Sequence, residues 1–161
     1  MNRSSVCFGS GLALALSAFA AAAGPISGDV IRIGFITDMS GVYADGDGPG
    51  GAHAIRMAIA DAGGAIDGKK IELLVADSRN KADVSSALAR DWFDTQQLDL
   101  LIGGTNSAAS LAMSAVAAEK KKPFITSGAG ASAFTNGQCT PYTIQYTYST
   151  RGLARGTGAA V

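Results

Sequence analysis

The sequence predicts an α/β fold, a doubly wound parallel sheet with helices on both faces. Short apolar runs alternate along the chain with stretches of helical spacing, which is the order of a βαβ protein. The strand candidates are apolar at nearly every position, as expected for strands buried on both faces of a parallel sheet. Loops rich in Gly, Ser and Asp follow three of these strands, and such loops allow a ligand to approach the backbone closely.

The elements of the first half follow from residue spacing and from glycines that end a helix. A β-branched apolar run predicts a buried strand over 31–37, and a polar loop follows over 38–51. Apolar residues at helical spacing predict a helix over 52–62, which two consecutive glycines end. After a tight turn, residues 70–76 form the second predicted strand.

The second half continues the same alternation. Large apolar residues at every fourth position predict a helix over 82–97, and a strand over 98–102 follows it. A helix is predicted over 107–121 and a strand over 123–126, and a long loop then leads to a fifth strand over 142–148. Ligands of such sheets bind beyond the carboxyl ends of the strands, so the loops after the first, third and fourth strands are the candidate site.

The N-terminus and the charge balance predict an exported protein. Arg3 precedes an apolar stretch over 6–18, and four alanines over 20–23 offer a cleavage site, so residues 1–23 are predicted to be a signal peptide for export to a bacterial periplasm. The remaining residues comprise twelve basic and thirteen acidic ones, and Cys139 is their one cysteine. This near-neutral balance gives no electrostatic support for a nucleic-acid partner.

The loop before the third helix is the strongest candidate for a binding site. Residues 103–110 combine a glycine turn with small hydroxyl residues at the start of a helix. The first backbone N–H groups of a helix are free, and they lie at the positive end of its dipole, where a carboxylate or a phosphate binds. Ser107 therefore has two interpretations, a contact for an anionic ligand or a structural N-cap of this helix.

Motifs for other chemistries are incomplete. Residues 128–133 have the form G-x-G-x-x-A of nucleotide-binding loops, but no clear helix follows them and no acidic residue follows Glu119. His53 is the one histidine, and the chain offers too few other donors for a metal site. Asp45 and Asp47 have two interpretations, a ligand contact and a solvated turn. We therefore expect no enzyme activity, no cofactor and no metal.

Four segments together resemble the type I periplasmic binding proteins of ABC transporters, in the branched-chain amino-acid (Leu/Ile/Val) receptor family. The segments are IRIGFITDMSG (31–41), DAGGAIDGKKIEL (61–73), DLLIGGTNS (99–107) and PFITSGAGAS (123–132). The resemblance implies a receptor of two α/β lobes around a ligand cleft. In such a receptor, residues 24–161 are the N-terminal part of the first lobe, with an incomplete sheet.

The resemblance also implies roles for residues in two of the loops. In the family, a Ser at the position of Ser107 and neighbouring backbone N–H groups hold the ligand carboxylate, which brings Asn106 and Ala108 beside the ligand. The loop after the fourth strand helps to hold the α-ammonium, at the positions of Gly128 and Gly130. Gly130 stands where amino-acid receptors offer a side-chain hydroxyl. Aromatic carboxylates, amides and other small solutes therefore compete with leucine, isoleucine and valine as the ligand.

The implied function is that of the periplasmic substrate-binding component of an ABC transporter. Such a protein delivers a small carboxylate-bearing solute to an ABC permease in the inner membrane. The alternative is a sensory or regulatory ligand-binding domain on the same fold, and a signal peptide without a retained membrane helix favours transport. Residues 150–161 read as the opening of a further helix, so we expect a fragment that binds its ligand weakly on its own.

Overall fold

The computed structural model describes residue 26 and residues 28–160, so the predicted signal peptide lies outside the described residues. The strands are β1 (Val30–Thr37), β2 (Ala65–Ile66), β3 (Lys69–Asp77), β4 (Leu100–Gly103), β5 (Phe124–Thr126) and β6 (Thr143–Gln145). The helices are α1 (Ala44–Asp47), α2 (Pro49–Asp61), α3 (Ala82–Thr95), α4 (Ser107–Lys120) and α5 (Thr150–Ala160), with a single 3₁₀ turn at Ser132–Thr135. Among these residues, no helix is both long and apolar enough to cross a bilayer.

The six strands form one sheet in the order β2-β3-β1-β4-β5-β6, and all pairs except β2–β3 are parallel. The predicted α/β class and its parallel sheet are therefore confirmed. The short antiparallel edge strand β2 was not predicted. It forms because Asp67 and Gly68, both at positive φ, make a two-residue hairpin turn that folds Ile66 back onto Lys69.

Most of the predicted boundaries shift by one to three residues, and three differences bear on the site. Helix α2 begins at Pro49 rather than at residue 52, because the fixed φ of a proline suits the first turn of a helix. Helix α1 lies within the predicted loop over 38–51. Strand β6 ends at Gln145, three residues before the predicted end, and this leaves Tyr148 in a loop.

The core lies between the sheet and the helix pair α3–α4. Leu101 on β4 and Phe124 on β5 are fully buried there against Met113 of α4. On the same face, a side chain at Gly34 would meet the Trp92 ring of α3 at 2.7 Å. On the opposite face, the first turn of α2 packs on the Phe35 ring of β1, and α2 also lies beside β3. The carboxyl ends of β1, β4 and β5 therefore stand on a firmly packed base.

Candidate ligand-binding cleft

A cleft of about 440 Å³ opens at the carboxyl end of the sheet. Five of the six predicted site residues line it, namely Asn106, Ser107, Ala108, Gly128 and Gly130. Four residues that were not predicted complete it, namely Tyr43, Thr105, Tyr148 and Thr150. A second groove, of about 410 Å³, lies beside α2 along the first half of β3, away from the strand ends where the loops converge. The first cleft is therefore the candidate site.

The N-terminus of α4 supplies unpaired hydrogen-bond donors to the cleft. Asn106 is the N-cap, because its side-chain oxygen accepts the Ala109 N–H at 2.9 Å. The structural interpretation of Ser107 as the cap is therefore wrong, and Ser107 is the first helical residue. Its hydroxyl and the N–H groups of Ser107 and Ala108 make no hydrogen bond to any described residue. A 14-residue helix thus points free donors and its positive dipole end into the cleft.

Several acceptors around this helix start are already used. The Ser110 hydroxyl donates to the Gly104 carbonyl at 3.1 Å, and the Ser127 hydroxyl donates to the Gly103 carbonyl at 3.0 Å. The Asn106 amide donates to the side chain of Asn80 in the loop after β3. These bonds hold the loop after β4 without consuming the donors of Ser107 and Ala108. The site is therefore suited to a ligand that accepts hydrogen bonds, such as a carboxylate.

The two predicted glycines bring neighbouring loops into contact. A Cβ atom on Gly128 would lie 2.9 Å from the Thr105 hydroxyl and 3.1 Å from its Cα, so a side chain there would separate the loops after β4 and β5. A Cβ atom on Gly130 would lie 2.5 Å from the Tyr148 ring. The Gly130 carbonyl accepts the Thr150 N–H at 2.7 Å. Glycine at 130 therefore allows a tyrosine ring to occupy the space beside this loop.

Asp47, the sixth predicted site residue, does not line the cleft. Its Oδ1 accepts a hydrogen bond of 2.9 Å from the Thr37 hydroxyl, and its Oδ2 is buried without a partner among the described residues. The solvated-turn interpretation does not describe Asp47 either, because helix α1 turns this side chain inward behind Gly104. Asp45, by contrast, is exposed.

Two aspartates fix the loop that carries Tyr43. Asp38 is buried and accepts the N–H groups of Gly41 at 2.8 Å and Tyr43 at 3.1 Å. Asp77, at the end of β3, accepts the Ser40 hydroxyl at 2.6 Å, and this bond, with those from the Met39 and Arg79 N–H groups, holds the pKa of Asp77 below its usual value. The loop after β1 is thereby tied to β3, with Tyr43 beside the cleft.

The sequence carried a weak signal for the unpredicted cleft residues. Thr105 lies inside the predicted binding loop, and Tyr43 lies in the predicted loop after the first strand. Tyr148 was assigned to a strand, so its place in the cleft depends on where β6 ends. Among the described residues, no group of three His, Cys, Asp or Glu side chains lies close enough to hold a metal ion.

Comparisons with known proteins agree with this fold. The periplasmic binding protein family profile matches residues 30–161. A periplasmic binding protein from Burkholderia mallei is 61% identical, with a TM-score of 0.81, over 83% of this chain and 36% of its own. A branched-chain amino-acid ABC transporter periplasmic ligand-binding protein from Burkholderia xenovorans is 33% identical, with a TM-score of 0.74, over 81% and 36% of the two chains.

A third solved structure carries a ligand. It is a solute-binding protein of an ABC transporter from R. palustris in complex with benzoate, 26% identical, with a TM-score of 0.72, over 81% of this chain and 36% of its own. No curated protein matches this chain significantly. The chain spans about a third of the length of these solved relatives. The family match over most of the described residues shows that the chain belongs to the type I periplasmic binding proteins of ABC transporters.

Proposed function

We propose that this chain forms part of the substrate-binding component of an ABC transporter, exported to the periplasm, that binds a small carboxylate-bearing solute between two lobes and has no catalytic role. The observation that carries the proposal is the start of α4, where two free N–H groups and the Ser107 hydroxyl line the cleft. The permease partner and the second lobe are inferred from the family.

The named relatives leave the class of solute open. One is described as a branched-chain amino-acid binding protein and another holds benzoate. Both kinds of ligand carry a carboxylate, and a carboxylate is the group that the donors of α4 would hold. The proposed role of Ser107 and Ala108 is therefore the same for either ligand.

A two-lobed chimera tests this proposal. Residues 28–160 would replace the matching segment of the Burkholderia mallei protein, whose remaining chain supplies the second lobe. Calorimetric titration would compare leucine, isoleucine, valine and benzoate with their amides, which lack the carboxylate. We expect at least one carboxylate to bind and its amide to bind more than tenfold less tightly, because a charge-assisted hydrogen bond contributes about 1.5–3 kcal/mol.

The Ser107→Ala variant of the chimera addresses the site itself. It should weaken binding of the same carboxylate by about tenfold to a hundredfold. Ser86→Ala is the matched control, since Ser86 lies in the first turns of α3 and does not line the cleft. Equal affinity for a carboxylate and its amide, or an unchanged affinity in Ser107→Ala, would contradict the proposed site.

A further inference from the structure

We propose that Tyr148, seated on Gly130, makes the cleft select a carboxylate with a flat aromatic body over an α-amino acid. This inference rests on the proposed function, because the start of α4 holds the carboxylate in both cases. It specifies the chemistry of the ligand beyond its carboxylate. The contacts of the Tyr148 ring and the hydrogen bonds around Gly130 carry it.

The Tyr148 ring lies directly against the backbone of Gly130. A Cβ atom at residue 130 would be 2.5, 3.1 and 3.5 Å from three atoms of the ring, so any residue other than glycine would displace it. Gly130 is buried, whereas Tyr148 is 53% exposed and lines the cleft. One part of the ring is therefore supported by backbone and another part is open to the cleft.

Hydrogen bonds hold the backbone of Tyr148 in this place. The Gln145 side-chain amide donates to the carbonyls of Ala129 at 3.0 Å, Ala131 at 3.3 Å and Tyr148 at 3.3 Å. The Thr150 N–H donates to the Gly130 carbonyl at 2.7 Å. The segment after β6 is thus fastened to the loop after β5 on both sides of the ring. A wall that is fixed before the ligand arrives costs little ordering entropy on binding.

The same hydrogen bonds reduce the number of acceptors that are available to an α-ammonium on this side of the cleft. Three carbonyls of the loop, those of residues 129, 130 and 131, already accept hydrogen bonds. Residue 130 has no hydroxyl, and no carboxylate among the described residues lines the cleft. An ammonium group desolvated on this side of the cleft would exchange its hydration shell for few free acceptors, chiefly the Gly128 carbonyl, which is unfavourable. A benzoate-like body has no such group and gains contact with the ring.

Tyr43 supplies a second aromatic side chain across the cleft. The sheet order places β1 on one side of β4 and places β5 and β6 on the other. The start of α4 therefore stands between Tyr43, which follows β1 and is 38% exposed, and Tyr148, which follows β6. A ligand whose carboxylate lies on α4 would have a tyrosine on either side. This arrangement fits a planar body better than a branched aliphatic one.

The test measures two ligand classes against the same variants. The whole chain would be titrated by saturation-transfer NMR, which detects weak binding, and the two-lobed chimera would be titrated by calorimetry. The aromatic ligands are benzoate and 4-hydroxybenzoate, and the amino-containing ligands are leucine, isoleucine and valine. We expect an aromatic carboxylate to bind the chimera at least tenfold more tightly than any amino-containing ligand.

Variants at residues 148 and 130 test the contribution of the Tyr148 ring to ligand binding. Tyr148→Ala should weaken binding of the aromatic carboxylate by about tenfold, the change expected for losing one aromatic contact, and Tyr148→Phe should keep it within about threefold. Tyr146→Ala is the matched control, because Tyr146 is 78% exposed and lies outside the cleft. Gly130→Ser displaces the ring and restores a hydroxyl, so it should shift preference toward leucine.

The outcomes separate this inference from the function on which it rests. Binding of the amino acids in preference to the aromatic acids would overturn the inference and leave the proposed function standing. An unchanged aromatic affinity in Tyr148→Ala would also overturn it. If the chimera bound none of these carboxylates at millimolar concentration, both proposals would fall.

Discussion

The two faces of the sheet are packed to very different degrees. On the face toward α3 and α4, Leu101 is 0% exposed and lies among buried apolar side chains. On the opposite face, Leu100 of the same strand is only half-buried, and Ile144 on β6 is 56% exposed. Helix α5, which follows, is exposed along its whole length. The stability of the described residues therefore depends mainly on one face of the sheet.

Because of this difference, the packed face and the cleft have separate roles in the same chain. The packed face fixes the strand ends, and the strand ends fix the cleft. The cleft itself is bounded by described residues at its base but opens outward at the exposed rings of Tyr43 and Tyr148. Recognition of a carboxylate can thus be built into this chain, whereas exclusion of water from the bound ligand requires something that covers the opening.

The largest expected effect is the gain in ligand affinity when a second lobe covers the opening of the cleft. In the whole chain alone, a carboxylate at the start of α4 stays in contact with bulk water, where screening weakens the interaction. We expect millimolar affinity in the chain and micromolar or tighter affinity in the two-lobed chimera, a difference of at least about 4 kcal/mol. Calorimetry on both proteins with the same ligand measures it. A sub-micromolar dissociation constant for the chain alone would show that the covering lobe is dispensable.

The next effect contrasts adjacent leucines on opposite faces. Leu101→Ala should lower the free energy of unfolding by about 2–5 kcal/mol, because it opens a cavity between the sheet and α4. Leu100→Ala, the same substitution one residue earlier, should cost less than about half as much, since its side chain is half-buried. Urea denaturation of the two variants makes the comparison. Equal losses would mean that the second face is packed as firmly as the first.

The strands and helices were easier to predict than the cleft. Apolar runs identified β1 and β3 to within one residue at each end, because strands of a parallel sheet carry a nearly continuous apolar signal in the sequence. Strand β2 was missed because two residues, Ala65 and Ile66, give no periodic pattern. Helix α2 was started late, although Pro49 is a recognised signal for a first helical turn.

The cleft was predictable only in part. The donors around Ser107 follow from a local pattern, a strand followed by a glycine turn and a helix. Asn106 was not predicted as the cap; Ser107 was considered instead, and both residue types cap helices well. Tyr148 enters the cleft because Gln145 binds carbonyls up to sixteen residues away, and a contact of that range leaves no periodic trace.

A smaller effect is expected from Asn106, the N-cap of α4, which leaves the Ser107 hydroxyl without a capping role. Asn106→Ala should lower the free energy of unfolding by about 0.5–2 kcal/mol, because the Ala109 N–H loses its acceptor. Asn106→Asp keeps that acceptor and should retain most of the stability. It adds a negative charge beside the donors of α4, so it should weaken carboxylate binding to the chimera. If Asn106→Asp bound a carboxylate as tightly as the parent, the cleft would not hold the anion at this helix start.

The smallest expected effect is the pH dependence that Asp77 confers on the loop carrying Tyr43. Hydrogen bonds from the Ser40 hydroxyl and from the Met39 and Arg79 N–H groups favour its charged form, so its pKa in the folded chain lies below the unfolded value of 3.8. A depressed pKa contributes stability that is present above the unfolded value and is lost as the pH falls through the folded one. We expect Asp77→Asn to reduce the free energy of unfolding at pH 7 by less than about 1 kcal/mol, since solvent screens this carboxylate.

The pH dependence of the stability lost in Asp77→Asn shows whether Asp77 acts through its charge or through its shape. Because the parent carboxyl becomes protonated below pH 3.8, the difference between parent and Asp77→Asn should shrink as the pH falls through this region. Asp61→Asn is the control, because Asp61 lies exposed at the end of α2, and its difference from the parent should stay near zero. Urea midpoints measured from pH 7 to pH 3 supply both curves. A difference for Asp77→Asn that stayed constant over this range would mean that Asp77 acts through its shape, with its charge contributing nothing to the loop beside the cleft.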